Sequence, residues 1–442
     1  MSGEVTALLG AKVIIGDGTA LDAADIVIEG ERIVSVRPAG NLETRRQNMA
    51  KIDMTGATIM PTIINVHGHV GYLRGGSCGA ENYSRDNVID HLRRLAYYGV
   101  SVIQSLGTDR DATEIRIRDA QDSGDIDVSR MALLRTAGAG IAASSGPCGN
   151  GGAYFATDVI REIDGPLDAA SVVADLATER PNVIKVWIDD RSGTKKVPDL
   201  RTVTSVVDEA RKHGIPVVAH VFSAEDARKA VEAGADGLAH MIRTEVPDDD
   251  LLDAIASRDM YVCSSIGIQR NFLDDLDWLD EEWVAETVDD DSRGQVRSYF
   301  ESMQPDERRE ISDVLPILAQ QARALHERGI PLVLSCDTGL DGQFFGVAEH
   351  REIEAMAKAG IAPGEVLRAA TSTGARLLGL SDRGTIAPGK RADLLVLSSD
   401  PLDDVTKTRD IAEVYLGGRR LDRTAMSAGW RTVASSSHGS AK

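Results

Sequence analysis

Eight short runs of apolar and β-branched residues, most of them followed by a stretch with helical spacing, limit what this chain can become. The runs fall near 57–66 (ATIMPTIINV), 100–106 (VSVIQSL), 131–136 (MALLRT), 182–188, 215–221, 236–242, 260–266 (MYVCSSI) and 330–337. Helical periodicity marks Asn87–Tyr98, Ala169–Arg180, Asp199–His213, Ala224–Ala233 and Asp248–Ser257. A continuous apolar run suits a strand buried on both faces, and alternation with amphipathic helices makes parallel βα units. Eight such units in roughly 300 residues fit an α/β fold, the (β/α)8 TIM barrel, whose active sites sit at the C-terminal ends of the strands.

The ends of the chain differ in texture. Residues 1–56 hold short alternating strands (AKVIIG, DIVIEG, RIVSVRP) separated by Gly and Asp, and the pattern returns in TIAPGKRADLLVLS and AEVYLGGRRL. At 442 residues the chain is long enough for a barrel with an accessory unit. The expectation is a barrel over 57–375 and a small β-sandwich built jointly from 1–56 and 376–430. Residues 431–442, small and polar, are expected to fray.

Lys and Arg number 49 against 69 acidic residues, a net charge of −20, which argues against a nucleic-acid partner. No apolar stretch approaches the length that spans a bilayer. The opening MSGEVTALLGAKVIIGDG lacks a basic start, a long apolar core and a small-residue cleavage site. Cys78, Cys148, Cys263 and Cys336 are scattered, with no CxxC pair, and read as reduced packing residues, Cys336 included. Together these features predict a cytoplasmic protein.

Two loops stand out. Residues 137–153 (AGAGIAASSGPCGNGGA) are rich in Gly and Ser but lack the phosphate-binding GxxxxGK[ST] pattern, so backbone approach to a substrate or partner is the expected role. The insert 269–310, with acidic clusters and Trp278, Trp283 and Phe300, follows the seventh run. Its place suggests a lid over the active-site face; a surface or oligomer-contact excursion is the competing reading.

Polar residues end the apolar runs in a telling way. His67 and His69 close the first (VHGH), Lys185 the fourth, His220 the fifth, His240 the sixth and Asp337 the eighth. Imidazoles and carboxylates are the usual ligands of catalytic zinc and related ions. Residues two apart on a strand face the same side, so His67 and His69 can grip one ion. His91, His213, His326, His350 and His438 lie on helices, at helix ends or in the tail and are expected to be structural.

Lys185 ends a buried strand, where desolvation favours a neutral amine. Such an amine can take up carbon dioxide as a carbamate, an anionic two-oxygen ligand able to bridge two metals. Pairing with Asp189 or Asp190 is the alternative.

The set His67, His69, Lys185, His220, His240 and Asp337 on strands 1, 4, 5, 6 and 8 resembles the amidohydrolase superfamily, especially its imidazolonepropionase-like and prolidase-like members. The segment Ala370–Asp404 (ATSTGARLLGLSDRGTIAPGKRADLLVLSSDPLDD) resembles the family's C-terminal stretch. The resemblance implies two divalent metal ions, zinc being expected, with Lys185 carbamylated. It gives the first metal His67, His69, the carbamate and Asp337, and the second the carbamate, His220 and His240. It also implies a homo-oligomer. Two positions depart from the family pattern. Asn65 stands where many members have Asp, behind the ligands, and Phe222 stands where prolidase-like members often have Tyr.

The reaction expected from this resemblance is cleavage of a small-molecule C–N amide bond. A bridging hydroxide would attack the carbonyl, and Asp337 would take the proton and pass it to the leaving nitrogen. Tyr154, Arg191 and Arg243 lie in strand-end loops and are candidates for binding a substrate carboxylate, as in an N-acyl amino acid or a dipeptide-like amide. The alternatives are cyclic amide or imidazolone hydrolysis, deamination, lactone or phosphotriester hydrolysis, and a scaffold without catalysis. Relatives with the ring-opening and deaminating chemistries commonly lack the lysine, which Lys185 sets against them.

Overall fold

A computed structural model describes residues 5–41, 49–144, 157–190, 193–271 and 275–437. The chain starts with β1 (Val5–Ile14), β2 (Ala20–Glu29), β3 (Arg32–Pro38), β4 (Met49–Asp53) and β5 (Thr58–Pro61). The barrel region holds β6 (Ile63–Gly68), the small hairpin β7 (Leu73–Arg74) and β8 (Ser77–Cys78), then β9 (Val100–Ser105), β10 (Leu133–Thr136), β11 (Gly140–Ala143) and β12 (Ile160–Ile163). It continues with β13 (Ile184–Trp187), β14 (Val217–His220), β15 (Gly237–Leu238), β16 (Tyr261–Cys263) and β17 (Leu332–Val333). The chain then returns through β18 (Leu394–Leu397), β19 (Ile411–Leu416) and β20 (Arg419–Arg420).

Eight parallel strands form the barrel, in the order β6, β9, β10, β13, β14, β15, β16, β17. Two seams lie outside the regular ladders. Asn182 N–H donates to Thr136 O at 2.9 Å, joining β10 to the entry of β13. Val66 N–H donates to Leu334 O at 3.1 Å and Asp337 N–H to His67 O at 3.1 Å, joining the first strand to the last. Buried Ile64, Val66, Val102, Leu133, Val218, Ala239, Cys263 and Val333 form one cluster, and a larger one packs the strands against the helices.

The helices begin where short polar side chains cap them, as expected for first-turn N–H groups that have no partner within the helix. Ser84 accepts from Asn87 N–H ahead of Arg85–Tyr97, and Asp199 from Thr202 N–H ahead of Leu200–Lys212. Ser223 and Asp226 form a reciprocal capping box for Ala224–Ala233, which ends at left-handed Gly234.

Both chain ends meet in one eight-stranded sheet, with β18, β19 and β20 added to β5. Strand β5 belongs to this sheet although its residues fall inside the span expected for the barrel. The pairing of β1 with β2 is irregular between Leu8 and Val13, and β1 meets β4 along its first half and β5 along its second. Such irregularities bend a strand and let one edge serve two partners.

The insert after β16 is anchored. Trp278, Leu279, Val284, Val288, Val296 and Phe300 are buried in the main core, and Arg409 lies over the Trp283 ring. Gln295 Oε1 accepts from Gly76 N–H at 3.2 Å, bringing the insert against the loop that follows β6. Through these contacts it packs beside that loop, with Trp278 and Phe300 buried in the core. Chain expected to fray from residue 431 continues the helix Arg423–Ser437, which Asp422 caps by accepting from Ala425 N–H at 2.9 Å. The Gly- and Ser-rich 137–153 loop supplies β11, and its remainder from residue 145 lies outside the described residues, as do Cys148 and His438.

Candidate metal centre

Strand ends deliver the polar set to one place. The pairing of β6 with β9 shifts register between Asn65 and Gly68, in the segment that carries His67. Just beyond, Thr338 O accepts from His69 N–H at 2.7 Å, so the loop after strand 8 is tied to the HxH turn. Gly339 has φ +106°, and a Cβ there would lie 2.1 Å from His69 O, so this approach needs glycine. Asp337 itself is held at φ 52° and Ser265, at the end of strand 7, at φ 47°. Left-handed backbone at a non-glycine residue is costly and clusters at functional sites.

The ligand atoms converge. His67 Nε2 lies 3.2 Å and His69 Nε2 3.0 Å from Asp337 Oδ1, and His240 Nε2 lies 4.0 Å from Asp337 Oδ2. One ligand atom each from His67, His240 and Asp337 falls within 4.8 Å of the others. The His240 ring packs at 4.8 Å from His67 and at 4.6 Å from His220. The far side of three rings is oriented by the protein. His67 Nδ1 meets Ala239 O at 3.2 Å, His69 Nδ1 meets Thr108 Oγ1 at 3.1 Å and His240 Nδ1 meets Ser265 Oγ at 3.3 Å. Such contacts set the tautomer and aim the other nitrogen at an ion.

Burial prepares the donors. It pushes the His67 imidazole well below its usual range, and the positive charge of Lys185 adds to this. His240 is depressed in the same way by burial and by His220. Burial also lowers His220, to about 4, with Asp189 opposing the shift. Neutral imidazole is the form that ligates metal. Among the described residues, His67 Nε2 and His220 Nε2 are buried without a well-aligned hydrogen-bond partner, a costly state that a bound cation relieves. The donor set therefore fits a divalent metal ion.

Lys185 is buried on strand 4, with Nζ 5.2 Å from the centre of the Trp187 ring. Its charge acts on both His67 and His220. A Cβ on Gly107 would lie 2.9 Å from Lys185 Cγ, so Gly107 leaves room for this stem.

The remaining candidates divide. Asn65 is fully buried behind the ligands: its side-chain oxygen accepts from His67 N–H at 3.0 Å, and its amide donates to Thr338 Oγ1 at 3.1 Å and to Glu349 Oε1 at 2.7 Å. Arg243 lies 5.7 Å over the Phe222 ring, and its charge reaches His220 and His240. Tyr154 and Arg191 lie outside the described residues. Among the expected structural histidines, His91 accepts from Gly71 N–H at 2.9 Å and donates to Leu73 O at 2.8 Å, and His350 meets Tyr98 O at 2.9 Å. Cys263 and Cys336 are buried.

Sequence reasoning passed over Thr108 and Ser265, which orient ligands. It also treated Asp189 only as a lysine partner, whereas Asp189 Oδ2 lies 3.4 Å from His220 Nε2. The pairing of Trp187 with His220 across β13 and β14 brings the two residues together, and that register is invisible in either segment alone.

Comparison with known proteins agrees with this layout. A profile described as the Amidohydrolase family matches residues 58–421. An imidazolonepropionase from Deinococcus radiodurans is 45% identical over 64 residues, covering 14% of this chain and 16% of that enzyme. The match thus spans about a sixth of that relative's length. A putative prolidase from Bifidobacterium longum superposes with a TM-score of 0.74 at 24% identity, covering 98% of this chain and 100% of its own. An Xaa-Pro dipeptidase solved with methionine in its active site gives 0.74 at 21% identity, with 95% and 100% covered. At such identities the structural likeness establishes the barrel fold.

Proposed function

Because the chain belongs to the amidohydrolase family, we propose that it is a metal-dependent hydrolase that cleaves a C–N amide bond of a small molecule, an N-acyl amino acid or a dipeptide-like amide. The observation that carries this reading is the approach of His67, His69 and His240 to the one carboxylate of Asp337, all of them buried. His67, His69 and Asp337 would hold one divalent ion and His220 and His240 a second, with a carbamate on Lys185 between them and zinc the favoured metal. Ions bound there supply Lewis acidity towards a carbonyl oxygen and towards water.

The protein's own groups do the rest. Asp337, set at the end of strand 8 beside three imidazoles, accepts a proton from the attacking water and returns it to the departing nitrogen, so that amide and water become acid and amine. Thr108 and Ser265 hold His69 and His240 in place through that transfer. Arg243 stands beside His220 and His240 with its guanidinium over Phe222. There it fits the free carboxylate of an acylated amino acid, and Phe222 gives an apolar face to the neighbouring side chain.

The test is a substrate panel run on zinc-loaded enzyme and after chelation. N-acyl amino acids and dipeptides are expected to be hydrolysed, with activity lost on chelation and restored by metal. Arg243→Met should raise KM for substrates with a free carboxylate by about tenfold, the scale of one lost charge-assisted bond, and leave the matching neutral amides little changed. Turnover of imidazolones or purines in place of amides would overturn the reading.

A further inference from the structure

We propose that Asp189 is a metal ligand, paired with His220 on the second cation of the centre. The proposal rests on the metal-dependent reading above and adds a carboxylate that the family pattern does not include.

Asp189 follows strand 4 directly. Lys185, Trp187 and Asp189 are alternate residues, so an extended chain carries all three on one side. Trp187 pairs with His220 across the β13–β14 ladder, and Ile188 N–H donates to His220 O at 3.3 Å, extending that register one step further. Asp189 is thereby held next to His220. Its side chain is 1% exposed, and Oδ2 stands 3.4 Å from His220 Nε2.

The chemistry favours a cation between these atoms. Two donors bound at about 2 Å to one tetrahedral ion stand about 3.3 Å apart, which matches the 3.4 Å between His220 Nε2 and Asp189 Oδ2. Imidazole nitrogen and carboxylate oxygen are the two donors that zinc-type ions prefer. His240 closes the group, its ring 4.6 Å from that of His220. On the other side of His240, the donors of His67, His69 and Asp337 form the neighbouring half of the centre. The buried set thus reads as two adjoining half-sites, each with one carboxylate: Asp337 with the first-strand histidines, and Asp189 with His220. A lysine carbamate can bridge them, and Asp189 gives the second half an anion of its own.

The experiment is calorimetric titration of the metal-free full-length chain with zinc, comparing wild type, Asp189→Asn and Asp189→Glu. Wild type should take up two equivalents. Asp189→Asn should keep the first and weaken the second by tenfold or more, while Asp189→Glu, which keeps the carboxylate, restores much of it. Circular dichroism of the metal-free proteins checks that each variant is folded. Two equivalents bound by a folded Asp189→Asn within twofold of wild-type affinity would overturn the assignment and leave the hydrolase reading standing. Failure of the wild type to bind zinc would overturn both. Should Asp189→Asn not fold, Asp189→Ser, checked for folding in the same way, decides: a second site weakened tenfold or more supports ligation, and wild-type affinity overturns it.

Discussion

The side-chain amide of Asn65 donates to Glu349 Oε1 at 2.7 Å, tying the first barrel strand to the helix Val347–Lys358 that follows the eighth. The same carboxylate accepts from Thr338 Oγ1 at 2.9 Å, so Asn65, Thr338 and Glu349 brace the two strand ends that carry His67 and Asp337. An aspartate at position 65 would face Glu349 carboxylate to carboxylate. The departure from the family pattern at Asn65 therefore has a partner that makes an amide the fitting residue.

Asn65→Asp should destabilise the protein by about 2–4 kcal/mol near neutral pH, the scale of a buried unpaired charge or lost buried hydrogen bond. The loss should shrink in acid, where a shared proton relieves the repulsion. Urea unfolding at two pH values measures both effects, and a variant as stable as wild type at neutral pH would refute the bracing role.

Glu352 provides a pH-dependent term. Burial raises its carboxyl to about 7 from an ordinary value of 4.5, although it accepts backbone N–H bonds from Ile266 and Gly267 beyond strand 7. Between those two values the folded chain keeps a proton that the unfolded chain has released. This contribution to stability is thus full below pH 4.5 and is lost as the pH rises through about 7. Melting profiles of wild type and Glu352→Gln should diverge in slope across this window, with the variant lacking that part of the decline. Parallel profiles would contradict it.

Thr108 holds His69 from behind, Oγ1 to Nδ1, at 3.1 Å. Thr108→Val keeps the shape and removes the partner, so zinc affinity should fall about tenfold, as for other groups that orient metal-bound histidines. Competition with a chelating dye reads this directly; an unchanged affinity would show that packing alone sets the ring.

Much of this architecture was legible before the structure. The apolar runs fall on the barrel strands because a strand buried on both faces must be apolar throughout, and polar residues ending them stand out for the same reason. His67, His69, His240 and Asp337 meet as their positions at the strand ends suggested. Other parts depended on long-range packing. Glu349 and Glu352 lie in VAEHREIE, which reads as an exposed helix face until the strand-end loops cover it. Strand β11 is short and glycine-led, with no periodicity to mark it. Trp278 and Phe300 are apolar in any reading, but only their burial in the main core shows that the insert packs there.

Metal content per chain, measured for wild type and Lys185→Ala after purification with added zinc and bicarbonate, tests whether the centre is binuclear and bridged by Lys185. About two zinc ions per chain are expected in the wild type and clearly fewer in the variant, because a lysine carbamate would join the two half-sites. About one ion per chain, unchanged by the substitution, would make Lys185 structural and contradict the binuclear hydrolase.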